Sequence, residues 1–512
     1  CSASSMLSIK SCWRITVMFY LSSDASGSAM FNYFSGCWYD SAHQKQRLAP
    51  FMQQYLIPPE IYGETPANLL ALFSHFADQP WAMLLDSASP DHVNSRYDIL
   101  VAEPVATLEA KHGSCILTDD QGTHVYQQDP FTVLNCALKR YFPHGSDNGL
   151  PFTGGALGYF GYDLGRYVEK LPATAQADIA LPDMAVGLYN WALLLDKQQQ
   201  KLWYTNYQGN AEAGWKKLYA RLQQPHSRTA PFALTGTWQA NMDKAAYTAK
   251  FQQIQQYLRS GDCYQINLTQ RFSAGYSGDE WQAYQLLRDK NAAPFSAFIR
   301  LPQGAVLSIS PERFLQLRDN KVETKPIKGT RPRGICPMTD QVEAENLRSS
   351  AKDRAENVMI VDLLRNDLGK VCLPGSVEVP SLFAIESFPA VHHLVSTVCG
   401  TLSPQFSACD LLRGAFPGGS ITGAPKVRAM QIIEQLEPQR RSVYCGAIGY
   451  INSQGDMDTN IAIRTLICSQ GQIHCQAGGG IVADSDANSE YQETLDKVNK
   501  ILPVLAKAEK KQ

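Results

Sequence analysis

Hydrophobic and polar positions follow two regimes along the chain, and the change between them falls near residue 230. In the first part the apolar runs are short and strand-like. Trp81–Leu85 is an unbroken apolar stretch closed by Asp86-Ser87, and Tyr97–Ala102 is a second; both predict buried strands. Met184–Leu195 and Leu202–Tyr207, joined across Asp196–Lys201, predict one long antiparallel hairpin. Residues 154–161, GGALGYFG, hold too many glycines for a helix and lack the G-x-G-x-x-G spacing of a nucleotide cradle, which leaves close backbone packing. Residues 223–237, QQPHSRTAPFALTGT, have two prolines and no periodicity. They predict a linker between an N-terminal domain, 52–222, and a second domain, 238–512.

Beyond it a period of 3.6 becomes frequent. Asp243–Ser260 predicts a helix with Tyr247, Ile254 and Leu258 on its buried face and Gly261 as its stop. A helix over Asp340–Gly369 is predicted from a capping box, Asp340 with Glu343, and an apolar stripe at Leu347, Ala351, Ala355 and Val358. A last helix is expected over Asn488–Lys507, and one between Pro425 and Pro438. Strand pairs recur between them: Phe298–Leu301 with Val306–Ile309, and Ala447–Asn452 with Asn460–Cys468, with Ile473–Gln476 rejoining after Gln470-Gly471. Hairpin connections mean antiparallel sheets, so the fold class is α+β, with sheets covered by helices.

Composition narrows the partners. At 512 residues, 44% hydrophobic and 18% charged, the chain is an ordinary globular protein. A net charge of −2 gives no electrostatic footprint for nucleic acid or an anionic membrane. Thirteen cysteines, an odd number with no C-x-x-C pair, argue against a disulfide framework or a structural zinc and fit a reducing cytoplasm. Residues 1–51 differ in character: they are Ser-rich and hold one short, mostly apolar run, Ile15–Leu21, too short to span a bilayer. A weak signal peptide is one reading; a non-native extension before a start at Met52 is the preferred one.

Candidate chemistry gathers in the second domain. Lys328 lies in PIKGTRPRG, after a predicted strand Val322–Ile327 and near Arg331 and Arg333. A lysine becomes a nucleophile only when burial or nearby positive charge lowers its pKa, and a lone lysine by a turn is ordinarily a solvated surface residue. Glu356 falls at the edge of its helix's apolar stripe. Glu490, Glu493 and Lys497 share one face of the last helix, where Glu493 and Lys497 have the spacing and order of a simple surface ion pair. Just upstream, 477–480, AGGG, is backbone without side chains to block a ligand. The stretch 417–426, PGGSITGAPK, ahead of a helix start suits a carboxylate or is only a well-capped helix. Glu312, in SISPERF, is a candidate general acid, and His393 is either a core histidine or a polar contact. With Arg464 these groups suit a small dianion and one Mg²⁺, which binds through few carboxylates and keeps positions for substrate oxygens.

Several stretches carry a resemblance: LLDS (84–87), GDCYQINLTQRF (261–272), LSISPERF (307–314), PIKGT (326–330), KDRAENVMIVDLLRND (352–367), HHLVS (392–396), FPGGSITGAPKVRAM (416–430), GAIGY (446–450), IAIRT (461–465), AGGGIVADS (477–485) and YQETLDK (491–497). From about Met52 onward the chain resembles the chorismate-utilising enzymes. The resemblance implies their fold, two antiparallel sheets packed as a sandwich with helices outside. It implies that Glu356 and Glu493 hold Mg²⁺, that His393, Ser420, Thr422, Tyr444, Arg464, Lys497 and the amides of Gly478, Gly479 and Gly480 bind chorismate, that Glu312 protonates the departing 4-hydroxyl, and that Lys328 attacks C2.

Two positions separate members of that family. Those that make anthranilate usually read PIAGT, with Ala in place of Lys328, and those that activate water have a lysine in place of Gln265. Lys328 with Gln265 therefore implies amination at C4 with the enolpyruvyl group kept, in the p-aminobenzoate and folate branch. No cysteine sits in a G-x-C-x-G elbow, so ammonia is expected from a separate glutamine amidotransferase subunit. Ser87, Asn94, Ser95, Arg96 and Tyr97 with Pro294, Phe295 and Ser296 resemble the family's L-tryptophan pocket. The rival readings are an anthranilate-forming member, which Lys328 opposes, and a non-catalytic relative that binds tryptophan or a partner, which would lack the need for Glu356.

Overall fold

Along the central strands successive apolar residues go to different cores, and this fixes the layers. In the computed structural model Met184, Val186 and Leu188 enter one core while Ala185 and Tyr189 enter another. Trp191, Leu193 and Leu195 enter a third, with Ala192 and Leu194 joining the second. The shared core lies between two antiparallel sheets, and the outer two lie under helices. The described residues are 53–58, 69–89, 92, 94–145, 149–224, 230–387 and 391–507. Among them one sheet has 13 strands and the other 12, so the expected sandwich is the observed one. Residues 1–51 and the expected start at Met52 lie outside the described set. Pro50–Gln512 cluster as one unit, and strands from both sides of 223–237 enter each sheet: Met83–Asp86 pairs with Phe295–Leu301, and Gly155–Phe160 with Ala447–Asn452. At the centre of the latter pair, Gly449 opposes Gly158, and a Cβ on Gly158 would lie 2.1 Å from the Ala185 carbonyl oxygen. The glycines of GGALGYFG thus admit neighbouring backbone. Among the described residues no helix is long and apolar enough to cross a membrane.

The strands that matter for the site, in chain order, are β1 (Met184–Tyr189), β2 (Trp191–Asp196), β3 (Gln265–Ser277), β4 (Gly304–Ser310), β5 (Arg313–Arg318), β6 (Ile327–Pro332), β7 (Val391–Thr401), β8 (Met457–Ile461), β9 (Thr465–Ser469) and β10 (Gln472–Ile481). The larger sheet holds β2, β3, β4, β9 and β10, and the smaller one β1, β5, β6, β7 and β8. The chain therefore crosses between sheets at Asn190, at Pro311-Glu312 and at residues 462–464. Two predicted strands are corrected by this. Met184–Leu195 is not one arm of a hairpin: only β2 pairs with Lys201–Asn206. Likewise Asn460–Cys468 is split between β8, which pairs with Ala447–Asn452, and β9, which pairs with β10. Both runs read as continuous because both faces of each strand are buried, so no polar alternation marks the corner. Lys328 is also within a strand, β6, and not beyond one.

The helices that bear on the site are α1 (Lys244–Arg259), α2 (Pro337–Ser349), α3 (Ala351–Gly369), α4 (Lys426–Leu436) and α5 (Ala487–Val498). The helix α1 is capped by Asp243, the first residue of the predicted range, and buries Tyr247 and Ile254. The predicted helix 340–369 is two: Ser350 is extended (ψ 109°) and caps α3 by accepting from the Asp353 amide at 3.3 Å. Asp340 is not the first cap, which is Cys336; Asp340 instead holds Arg333 and His392, at 2.6 and 2.9 Å. The buried face of α3 is Asn357, Ile360, Val361, Leu364, Asp367 and Leu368, while Val358 is exposed. The last predicted helix also breaks, into α5 and the short Leu502–Ala506.

Candidate active site

Two inter-sheet corners run side by side and build the centre of the site. The Ile461 amide donates to the Glu312 carbonyl at 3.0 Å, and the Ile309 amide to the Arg464 carbonyl at 3.1 Å. Arg464 takes a left-handed conformation, φ 49°, which turns the chain from β8 into β9. Glu312 and Arg464 are thereby delivered to the same place by backbone geometry alone. Arg464 is buried enough that desolvation lowers its pKa, with Glu312 opposing the change.

Lys328 reaches this place from β6. At Gly329 the register with β7 shifts and φ is 76°, a conformation that favours glycine. Lys328 is half-buried, and its ammonium donates to the Ser420 carbonyl at 3.2 Å, while the Ser420 hydroxyl donates to Glu312 Oε1 at 3.2 Å. Burial pushes the lysine pKa down, although Glu356, Glu312 and Glu493 pull it up; Lys497 adds to the lowering. Burial pushes Glu312 up, against Lys328, the Ser420 hydrogen bond, Lys497 and the Ile327 amide. Moving one proton from the lysine to the glutamate leaves the total protonation unchanged and removes two buried charges, which is the direction desolvation favours.

The glycine strand forms another wall. Gly478, Gly479 and Gly480 in β10 pair with Thr269, Leu268 and Asn267 of β3. A Cβ on Gly479 would lie 2.9 Å from Glu490 Oε2 and 3.2 Å from Glu493 Oε1, and one on Gly480 would lie 2.7 Å from Gln265 Nε2. Side chains here would push against the groups above them. Lys497 donates to the Gly478 carbonyl at 2.7 Å and pairs with Glu493 at 2.6 Å, both side chains being partly exposed. The ion pair read from the sequence does form, and it coexists with a contact to the glycine wall. Gln265 is fully buried, and both its carboxamide atoms have no partner among the described residues.

The other predicted residues are placed as follows. His393 Nδ1 is 2.9 Å from the Thr330 hydroxyl, and its pKa falls to about 4 through burial and then Arg464, so the ring is neutral near pH 7. Tyr444 is buried in the core beneath the smaller sheet. The Thr422 hydroxyl donates to the Gly418 carbonyl at 3.0 Å, inside the turn that carries Ser420. Pro425 caps α4, and Lys426 at its start is tied to Asp367 at 2.6 Å and to the Ala415 carbonyl at 2.7 Å.

Glu356, Glu493 and Glu490 are the oxygen donors available to a divalent ion. Burial raises the pKa of Glu356 and of Glu490, and in both the charge of Glu493 acts in the same direction. Glu490 is 4% exposed, its Oε1 accepts from Ser485 at 2.7 Å, and its Oε2 has no partner among the described residues. An orphaned buried carboxylate oxygen beside a second carboxylate fits a hard cation. Among the described residues no three His, Cys, Asp or Glu side chains form a complete cage; Mg²⁺, which uses one or two carboxylates with waters and substrate oxygens, needs none. The sequence reading had Glu490 on the correct face and gave it no role. It gave no sign of Arg441, 1% exposed, which is paired with Glu437 at 2.7 Å and donates to the carbonyls of Ile421 and Asn267 at 2.9 and 2.8 Å. That guanidinium joins the Ser420 turn to β3.

Away from the lysine is a cavity of about 600 Å³ lined by Ser87, Asn94, Arg96, Tyr97, Pro294, Phe295 and Ser296. Ser95 is not in the lining; its hydroxyl accepts from Ser87 Oγ at 2.5 Å. Arg313, next to Glu312, faces this cavity and donates to Asn94 Oδ1 at 3.0 Å and to Asp458 at 2.9 Å.

Comparison with known proteins identifies the family. A family model described as chorismate binding enzyme matches residues 82–503. The chain belongs to the chorismate binding enzyme family. It is 57% identical to aminodeoxychorismate synthase component 1 of Salmonella typhimurium over 424 residues, 83% of this chain and 92% of that one. It is 55% identical to the Escherichia coli protein of the same name over 437 residues, 85% of this chain and 95% of the other. Among solved structures it is similar to anthranilate synthase component I from Streptococcus pneumoniae, with a TM-score of 0.71 and 32% identity over 80% of this chain and 93% of that one.

Gly479 gives a direct test of the site in this chorismate binding enzyme. The atoms that a Cβ would meet there are the ends of flexible side chains, so Gly479→Ala should fold with a near-unchanged Tm while displacing both carboxylates. A loss of on the order of 100-fold in kcat/KM is expected. Full activity in the variant would show that these carboxylates lie outside the reacting centre.

Proposed function

We propose that this chain is the chorismate-aminating subunit of an aminodeoxychorismate synthase, converting chorismate and ammonia to 4-amino-4-deoxychorismate for p-aminobenzoate and folate synthesis. The observation that carries the reading is Lys328, half-buried and bridged through Ser420 to Glu312. The names of the relatives support the same activity, and "component 1" supports a second, ammonia-supplying glutamine amidotransferase subunit.

The neutral Lys328 amine attacks C2 of chorismate, both ring double bonds shift one place around the ring toward C4, and the C4–O bond breaks as Glu312 gives the leaving hydroxyl its proton, releasing water. Ammonia then attacks C4, both double bonds shift back and the C2–N bond breaks; the proton lost by the incoming ammonia balances the one taken up by the departing amine, which frees the lysine. Arg464, Lys497, Tyr444, neutral His393, the Ser420 turn and the bare backbone of Gly478–Gly480 hold the dianion in one orientation. Mg²⁺, held by Glu356 and Glu493, would supply positive charge against the ring carboxylate.

The anthranilate-forming alternative is favoured by the likeness to the Streptococcus pneumoniae structure. Lys328 opposes it, because formation of anthranilate needs no covalent lysine. Incubation with chorismate, Mg²⁺ and ammonium, followed by mass spectrometry, separates the two. An amino-substituted chorismate that keeps its enolpyruvyl group, formed at least 100-fold more slowly by Lys328→Ala, is the expected result. Anthranilate and pyruvate would contradict it.

The 600 Å³ cavity is proposed to bind L-tryptophan, its aromatic walls Tyr97 and Phe295 receiving the indole and its polar rim, with Arg313, Asn94 and Asp458, the amino acid end. Added tryptophan should raise Tm by binding the native state. An unchanged Tm across a titration to millimolar tryptophan would remove this assignment.

A further inference from the structure

Each of the two proposed magnesium glutamates is followed by a polar residue that is wholly buried. Asn357 after Glu356 and Thr494 after Glu493 are both 0% exposed. Successive residues of a helix are about 100° apart around its axis, so burying one face-on places its predecessor at the edge of the buried face. Neither burial is a plain apolar contact. Asn357 Oδ1 accepts from Ser396 Oγ at 2.5 Å, and that hydroxyl accepts from the Phe383 amide at 3.1 Å. Ser396 is in β7, three residues beyond His393, and its own amide donates to the Pro326 carbonyl at 3.3 Å, two residues before Lys328. Thr494 Oγ1 accepts from Gln270 Nε2 at 2.5 Å and donates to the Tyr491 carbonyl at 2.7 Å. Gln270 is in β3, opposite Ala477 beside the glycine wall.

Apolar contact holds a helix against a sheet but resists sliding and rotation weakly; a directed hydrogen bond fixes both. These two contacts also carry an energetic cost. Asn357 Nδ2 and Gln270 Oε1 remain buried with no partner among the described residues, and an unpartnered buried polar group destabilises a fold. An apolar pair would avoid that cost, so stability does not explain the choice. We propose that Asn357 and Thr494 are positioning residues, which clamp α3 to β7 and α5 to β3 at the rotation that aims Glu356 and Glu493 at one ion. This rests on the reading of those glutamates as the magnesium carboxylates.

The test is a titration of the full chain with Mn²⁺ by electron paramagnetic resonance, in the absence of turnover, with Tm measured alongside. Thr494→Val keeps the shape and loses the hydroxyl, Thr494→Ser keeps the hydroxyl, and Asn357→Leu removes the amide. Val and Leu should weaken Mn²⁺ binding about 10- to 100-fold, while Ser stays within about threefold of the natural chain. Equal affinity in all four proteins overturns the proposal. So does a Ser variant as weak as Val, which would assign the effect to packing. If the unsubstituted chain binds no Mn²⁺, the metal reading itself has failed, and that result is distinct from the other two.

Discussion

The structure turns on one ammonium group held beside carboxylates. Two unit charges about 4 Å apart attract by about 4 kcal/mol at an effective dielectric of about 20, while removing each ion from water costs several kcal/mol. Burial therefore wins for both partners: Lys328 is shifted toward the free amine and Glu312 toward the free acid, against their mutual attraction. In the proposed reaction these shifts would suit one partner to act as nucleophile and the other as general acid, with no net change in protonation. Arg464 and Lys497 remain as the positive charges that the proposed site would set against a dianion.

Topology places that pair. The sandwich would bury Glu312 and Arg464 uselessly if both corners continued as strands. Because the chain leaves one sheet and enters the other at Pro311-Glu312 and again at 462–464, two side chains that ordinary strands would direct into separate cores are brought within electrostatic reach of each other. Arg313, one residue on, faces the opposite cavity. The backbone bonds that join the corners make the positions of acid and arginine interdependent. The glycine wall of β10 and the turn at Ser420, tied down by Arg441, close the remaining sides.

Much of this was legible in the sequence for physical reasons. Helix α1 has a side-chain cap, a periodic face and a glycine stop, and each signal is local. Recurring hairpins gave the antiparallel sheets and the α+β class, while the sandwich and the motif residues came from resemblance to the family. What was not legible depends on partners distant in sequence. The corner at Asn190 interrupts a run that is apolar on both faces, so periodicity carries no mark of it. The break at Ser350 was hidden because Ser350 serves as a cap and not as a helical residue. Asp340 resembled a cap and is an ion-pair partner of Arg333. Val358 continued an apolar stripe by spacing and is exposed, because the face that meets β7 is set by Asn357 and Ile360. Glu490, Arg441 and Gln270 look like surface residues until the fold buries them.

The most direct measurement is to supply chorismate and Mg²⁺ without ammonia, quench, and map peptides by mass spectrometry. A covalent adduct of chorismate less water on the peptide bearing Lys328, lost on adding ammonium as the aminated product appears, is the result this account predicts. Absence of any adduct, or an adduct on another residue, while ammonium still supports amination would contradict it.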